Sequence, residues 1–191
     1  MQTFLPYRNF KKSLESLDDK RLGKQRVETF QILNNLLGRP KKDGTPYKGW
    51  TNHPCCVMWR GYEDALKLYL NESINVWEAR GKNNTMQFEE IDVWRIKMPW
   101  WLGVEEFHSS HRANLLRKDP EYYSRHGWTE DPSDPYVWHD KENKWYKQHV
   151  GIPRKEYFEL RESEGGVISS LDRRSPRAFS TNVSNEITIK Q

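Results

Sequence analysis

Within Leu17-Asp18-Asp19-Lys20-Arg21-Leu22-Gly23-Lys24-Gln25-Arg26-Val27-Glu28, residue types and spacing suit acid–base chemistry on a polyanion. Wound as a helix, the stretch puts Lys24, Glu28, Arg21 and Gln25 on one stripe about 100° wide. One carboxylate then stands beside two cations and an amide. A carboxylate repels phosphate, so charge alone does not account for Glu28; a proton-handling task does. Arg26 falls among the apolar positions, where it must snorkel, meet a buried anion, or reach a phosphate at the helix flank. Two readings fit this stripe. One is a solvated face laced with salt bridges. The other is a site where Arg21, Lys24 and Arg26 hold phosphates while Glu28 moves protons.

Other reactive residues form weaker patterns. His53, Cys55 and Cys56 lie close together, and His108 and His111 are three apart, but neither set supplies four metal ligands at a recognised spacing. Structural roles are expected for both, with His111 also a candidate to face phosphate or an extruded nucleotide. No phosphate-cradling Gly loop and no Gly-x-Ser-x-Gly elbow is present. Trp50, Trp100 and Trp101 fall in loops and are candidates to stack on a base. The remaining Trp are expected in the scaffold.

These side chains need a folded body to position them. The 191 residues include nine Trp, nine Tyr and seven Phe, too aromatic a composition for a disordered chain. Adjacent Cys55 and Cys56 cannot staple a fold across a long loop, which excludes a disulfide-built secreted scaffold and favours a cytoplasmic location. No apolar run is long enough to span a bilayer. Residues 1–60 carry twelve Lys or Arg against five Asp or Glu, while the remainder carries nineteen against twenty-two. A basic first third on a nearly neutral body suggests a polyanion-facing surface.

The apolar spacing predicts an irregular start over 1–12 and a helix over 17–37, ended by Gly38 and Pro40. A Gly-, Pro- and Lys-rich loop follows over 38–52. One continuous helix is then expected over 54–79, a short one over 86–94, and another from 104 to 117 or 118. Residues 128–145 read as irregular and 154–161 as a helical turn or two. Residues 161–191 read as a disordered tail on a domain spanning 1–160. Alternating strands are scarce, so the expected class is mainly all-α, a compact helical bundle with long loops.

The segments MQTFLPY, LDDKRLGKQRVE, NHPCCVMWRGYEDAL and WWLGVEEFHSSHRANLLRKDPEYY resemble the bacterial and viral pyrimidine-dimer DNA glycosylase family, over roughly residues 1–138. The resemblance implies a compact helical domain that bends duplex DNA, flips out a nucleotide, and acts as a monomer without metal or cofactor. It implies a nucleophilic α-amine at the mature N-terminus, completed by a glutamate on the first long helix. Ungapped alignment of that helix puts the glutamate at Glu28. The amine belongs to Met1, or to Gln2 if Met1 is removed. Lys24 and Arg26 resemble the family's phosphate-holding cations, and Lys118, on the later helix, resembles a further phosphate contact. An arginine of the family's studied branch falls at Asn114, with Arg112 and Arg117 nearby. The candidate DNA-contacting set is thus Arg21, Lys24, Gln25, Arg26, His111, Arg112, Arg117 and Lys118. An α-amine, with a pKa of about 7.7–8.0, is partly unprotonated at neutral pH, unlike a lysine near 10.4. The expected function is excision of ultraviolet-induced pyrimidine dimers or a related altered base, with strand cleavage by an associated lyase step. The rival is a DNA-binding protein that keeps the fold without the chemistry.

Overall fold

The structure, a computed structural model, describes residues 2–41, 43–47, 50–94 and 96–149. The expected turn at 154–161 and the tail from 161 lie outside the described residues. The fold is mainly helical. Helix α1 spans Phe10–Glu15, α2 Asp19–Leu36, α3 Pro54–Trp59, α4 Glu63–Ala79, α5 Glu105–Lys118 and α6 Pro120–Tyr123, followed by a 3₁₀ turn at Ser124–His126. Strands β1 (Tyr136–His139) and β2 (Trp145–Gln148) pair antiparallel, with Tyr136 opposite Gln148.

Asp18 starts α2 by accepting the Arg21 N–H at 2.9 Å, and Gly38, at a φ of 65°, follows its end. Helix α2 packs along α4, and α1 lies on α4 as well. Gly23 makes the closest approach possible, since a Cβ there would come within 3.3 Å of the Trp77 ring. On the other side, α5 packs against β1 and α6. Leu22, Ile32 and Leu33 of α2, Leu66, Leu70 and Ile74 of α4, and Phe107 and Leu115 of α5 are buried in one core with Trp59 and Trp101.

The first residues of the chain thread this core. Gln2, Thr3, Phe4 and Leu5 are all buried, yet they join no sheet. Buried peptide groups need partners, and here side chains from the surrounding helices supply them. From α2, the Gln25 carboxamide accepts the Phe4 N–H at 2.8 Å and donates to the Gln2 carbonyl at 2.6 Å. From α4, the Tyr69 hydroxyl donates to the Phe4 carbonyl at 2.8 Å. From α5, His111 Nδ1 accepts the Leu5 N–H at 3.0 Å, and His108 Nδ1 lies 2.7 Å from the Leu5 carbonyl. His108 Nε2 accepts the Gly103 N–H, so its proton sits on Nδ1 and is donated to Leu5. From α3, the Trp59 indole donates to the Thr3 hydroxyl at 2.8 Å.

Several expectations need correction. The stretch 54–79 is two helices, because Arg60 leaves helical geometry and Gly61 takes a φ of 83°. Met86–Trp94 forms no helix. The Asn71 carboxamide takes both Glu89 backbone groups at 2.8 Å, and Arg39 grips the Glu89 carboxylate, holding the segment extended across α4. Residues 10–12, read as irregular, belong to α1, which is capped by the Asn9 side chain at 2.8 Å. The stretch 128–145 contains β1 and leads into β2. All four β1 residues are buried, so the sequence shows no alternation to betray the strand.

Candidate active site

The start of the chain meets α2 at one carboxylate. Glu28, half-buried, accepts the backbone N–H of Gln2 on Oε2 at 3.0 Å. Gln25, one helical turn earlier, fixes the same residue through its carbonyl. Beneath them, Tyr136 of β1 hydrogen-bonds the Gln2 side chain. Burial pushes its phenol up to about 12, so it remains a neutral hydroxyl. Gln2 Oε1 in turn accepts the Thr3 N–H at 3.0 Å, which folds that side chain back on its own backbone.

Cations gather around Glu28 from two helices. Lys118, at the end of α5, senses Glu28, Arg117, Arg21 and Lys24; burial, then repulsion by Arg117 and Arg21, lowers its pKa below the ordinary lysine value. Arg117 is also lowered by burial and donates to the Asn114 side chain and, at 3.4 Å, to the Pro132 carbonyl. Arg21 is held by Asp18 at 2.5 Å and approached by Asp119 at 3.5 Å. Burial raises the Asp18 carboxyl, but hydrogen bonds from Tyr123 and Arg21 outweigh it and leave the pKa lowered. Lys24 is exposed to solvent.

The rest of the candidate set divides. Arg26 leaves this cluster: its guanidinium lies 4.1 Å over the Trp77 ring and donates to Asn84 at 3.1 Å, with Nε buried and unpartnered. It snorkels along an indole instead of meeting an anion. Arg112 is bound by Glu105, by Glu130 at 2.5 Å and by the Pro6 carbonyl at 2.8 Å. Gln25 and His111 are 1% and 0% exposed, so their side chains hold the chain's start and do not face solvent. Trp101 is fully buried, its indole donating to the Met58 carbonyl at 3.0 Å. Trp50 and Trp100 remain 43% and 46% exposed.

Sequence reasoning missed Tyr136, Tyr123 and Tyr69, which tune or brace the site from three different elements. Only the aromatic density of the later segments pointed toward them. Among the described residues no group of three His, Cys, Asp or Glu side chains is placed to hold a metal ion. Cys55 and Cys56 are buried free thiols, pushed up by burial to about 12 and about 11.

The backbone of the chain's second residue thus hydrogen-bonds a carboxylate of α2, with Lys118 of α5 in its field. Residues 1–90 match the family model of the pyrimidine dimer DNA glycosylases. The match spans α1, α2, α3 and α4, and therefore Glu28 and the segment it holds. No curated protein and no solved structure shows a match. Among the described residues, no helix is long and apolar enough to cross a membrane.

Proposed function

We propose that the chain excises pyrimidine dimers from duplex DNA by amine catalysis, with the α-amine at the chain's start as nucleophile and Glu28 as its proton-handling partner. The contact of Gln2 N with Glu28 Oε2 at 3.0 Å carries this reading. If Met1 is removed, that nitrogen is itself the amine. If Met1 is retained, the amine lies one residue upstream of a nitrogen already at the carboxylate.

The amine's lone pair forms a bond to C1′ of the deoxyribose, and the C1′–N1 bond breaks with its electron pair on the base. Glu28 stabilises the developing sugar cation and takes the proton the amine sheds. Opening of the sugar ring gives an imine. In the lyase step the C2′ proton is removed and the 3′ phosphate leaves, cutting the strand. Water then hydrolyses the imine and frees the amine. Lys24, Lys118, Arg117 and the partly neutralised Arg21 are assigned to DNA phosphates, with Arg26 at the flank. Arg112, Gln25 and His111 are positioning residues that keep the first residues in place.

Glu28→Gln keeps the size and a hydrogen-bonding side chain but removes the charge. Base release from ultraviolet-irradiated duplex is expected to fall about 10²–10⁴-fold, with the affinity for that duplex within a few-fold of wild type. Equal loss of excision and binding would make Glu28 a structural residue. Salt-dependent binding by a wild-type protein that releases no base would leave a DNA-binding protein without the chemistry.

A further inference from the structure

Amine attack also requires that the base leave, and the electron pair left on N1 spreads onto the O2 carbonyl. A hydrogen-bond donor at that oxygen lowers the barrier, and a neutral donor does so without adding positive charge beside the developing sugar cation. The loop before α3 carries such a donor.

His53 is the N-cap of α3, and its Nδ1 accepts the Cys55 N–H at 3.2 Å. A neutral imidazole accepting at Nδ1 carries its proton on Nε2. Among the described residues no acceptor is recorded for that Nε2–H. The ring is half-buried and meets Trp50 edge-on at 5.3 Å, while Trp50 keeps 43% of its surface exposed. Cys55 Sγ lies 3.3 Å from the Thr3 hydroxyl, and Thr3 follows the residue hydrogen-bonded to Glu28. The capped imidazole is thereby linked, through Cys55 and Thr3, to the residue next to the one that Glu28 holds. Burial, and after it the positive charge of the amino terminus, keeps His53 at about 4, so the ring stays uncharged at neutral pH.

We propose that His53 donates its Nε2–H to the O2 carbonyl of the departing pyrimidine, with the exposed Trp50 indole as the adjoining face for the base. The inference rests on the excision reading above and adds the residue that assists the leaving group. As the C1′–N1 bond breaks, the hydrogen bond strengthens on the oxygen that gains charge. No proton leaves His53, and the base is later protonated from water. A neutral imidazole acting as an electrophile on a carbonyl is established enzyme chemistry.

The test uses the full chain and two substrates. His53→Asn retains an acceptor suited to the N-cap and withdraws the outer donor. In single-turnover assays on ultraviolet-irradiated duplex, base release is expected to fall about 10²–10³-fold. On duplex carrying a preformed abasic site no base departs, so imine trapping by borohydride should stay within about threefold of wild type. His53→Gln extends an amide N–H toward the position of Nε2 and should recover at least about tenfold of the loss. If His53→Asn fails to fold, His53→Ser, another cap-forming residue, takes its place in the same two assays. Parallel loss on both substrates, or no loss on the irradiated one, would overturn the proposal. Wild type that traps on the abasic duplex yet releases no base would remove the excision reading itself, and this proposal with it.

Discussion

Glu28 is unusual for a residue among so many cations: among the described residues no side-chain cation pairs with it, and it accepts a backbone N–H instead. A carboxylate kept for stability would be expected to accept from Lys24, four residues earlier on the same face. Arg21, by contrast, is already bonded to Asp18 and faces Asp119, so it brings less free charge to a phosphate than Lys24 or Lys118. Removing Lys24 or Lys118 as Ala should weaken binding to any duplex, damaged or not, and reduce the slope of log affinity against log salt by about one per residue. The Arg112→Ala change should leave that slope unchanged and lower the melting temperature instead, since it strands Glu130, whose Oε2 is buried and unpartnered, along with the Pro6 carbonyl. Slopes that moved together for Arg112 and Lys118 would undo this division of the cations.

At the scale of elements, the chain's start is built in by side chains from α2, α3, α4 and α5. Gln25 does most for the least mass. Gln25→Ala would leave the Phe4 N–H and the Gln2 carbonyl buried without partners. At about 1–3 kcal/mol for each, stability should drop by about 2–6 kcal/mol, read from urea unfolding. Under the proposed mechanism excision should fall further than unfolding alone accounts for, since Gln2 loses the bond that holds its carbonyl. A Gln25→Ala protein of wild-type stability would show that the segment is held by other means. The helices that form the site were legible because α2 and α5 obey simple signals: a Gly or Pro stop and periodic apolar residues. Glu28, Lys24 and Lys118 could therefore be placed from spacing and resemblance. What spacing could not show was long-range satisfaction of polar groups. Gln25 and His111 read as surface contacts because their types are polar, yet their partners lie 21 and 106 residues away. The 54–79 helix was read through Gly61 because its apolar rhythm continues across the break. The segment 86–94 follows a capping residue type, Thr85, and has Glu89 and Glu90 near its start, but Asn71 and Arg39 satisfy it in an extended form.

Across the whole molecule, stability depends on histidines that fold in neutral form. Burial puts His111 well below its ordinary 6.5, and His108 is lowered for the same reason. His111 must accept the Leu5 N–H, which an imidazolium cannot do. The unfolded chain therefore binds protons before the folded one does. Stability is fully present above 6.5 and falls as acid is added from there toward the depressed folded values. The melting temperature should be flat above about pH 7 and decline steadily below about pH 6.5. A melting temperature that rose on acidification would contradict the neutral state of this pair. Because the same histidines hold Leu5 in the first segment of the chain, the proposed excision should fade over the same acid range.

The central claim is that an amine at the chain's start attacks the sugar beside Glu28. Borohydride trapping on ultraviolet-irradiated duplex, followed by mass mapping of the adducted peptide, tests it most directly. The account predicts a covalent adduct on the α-amine of the first residue, with its yield strongly reduced in Glu28→Gln. An adduct on Lys20, Lys24 or Lys118, or base release with no trappable intermediate, would contradict it.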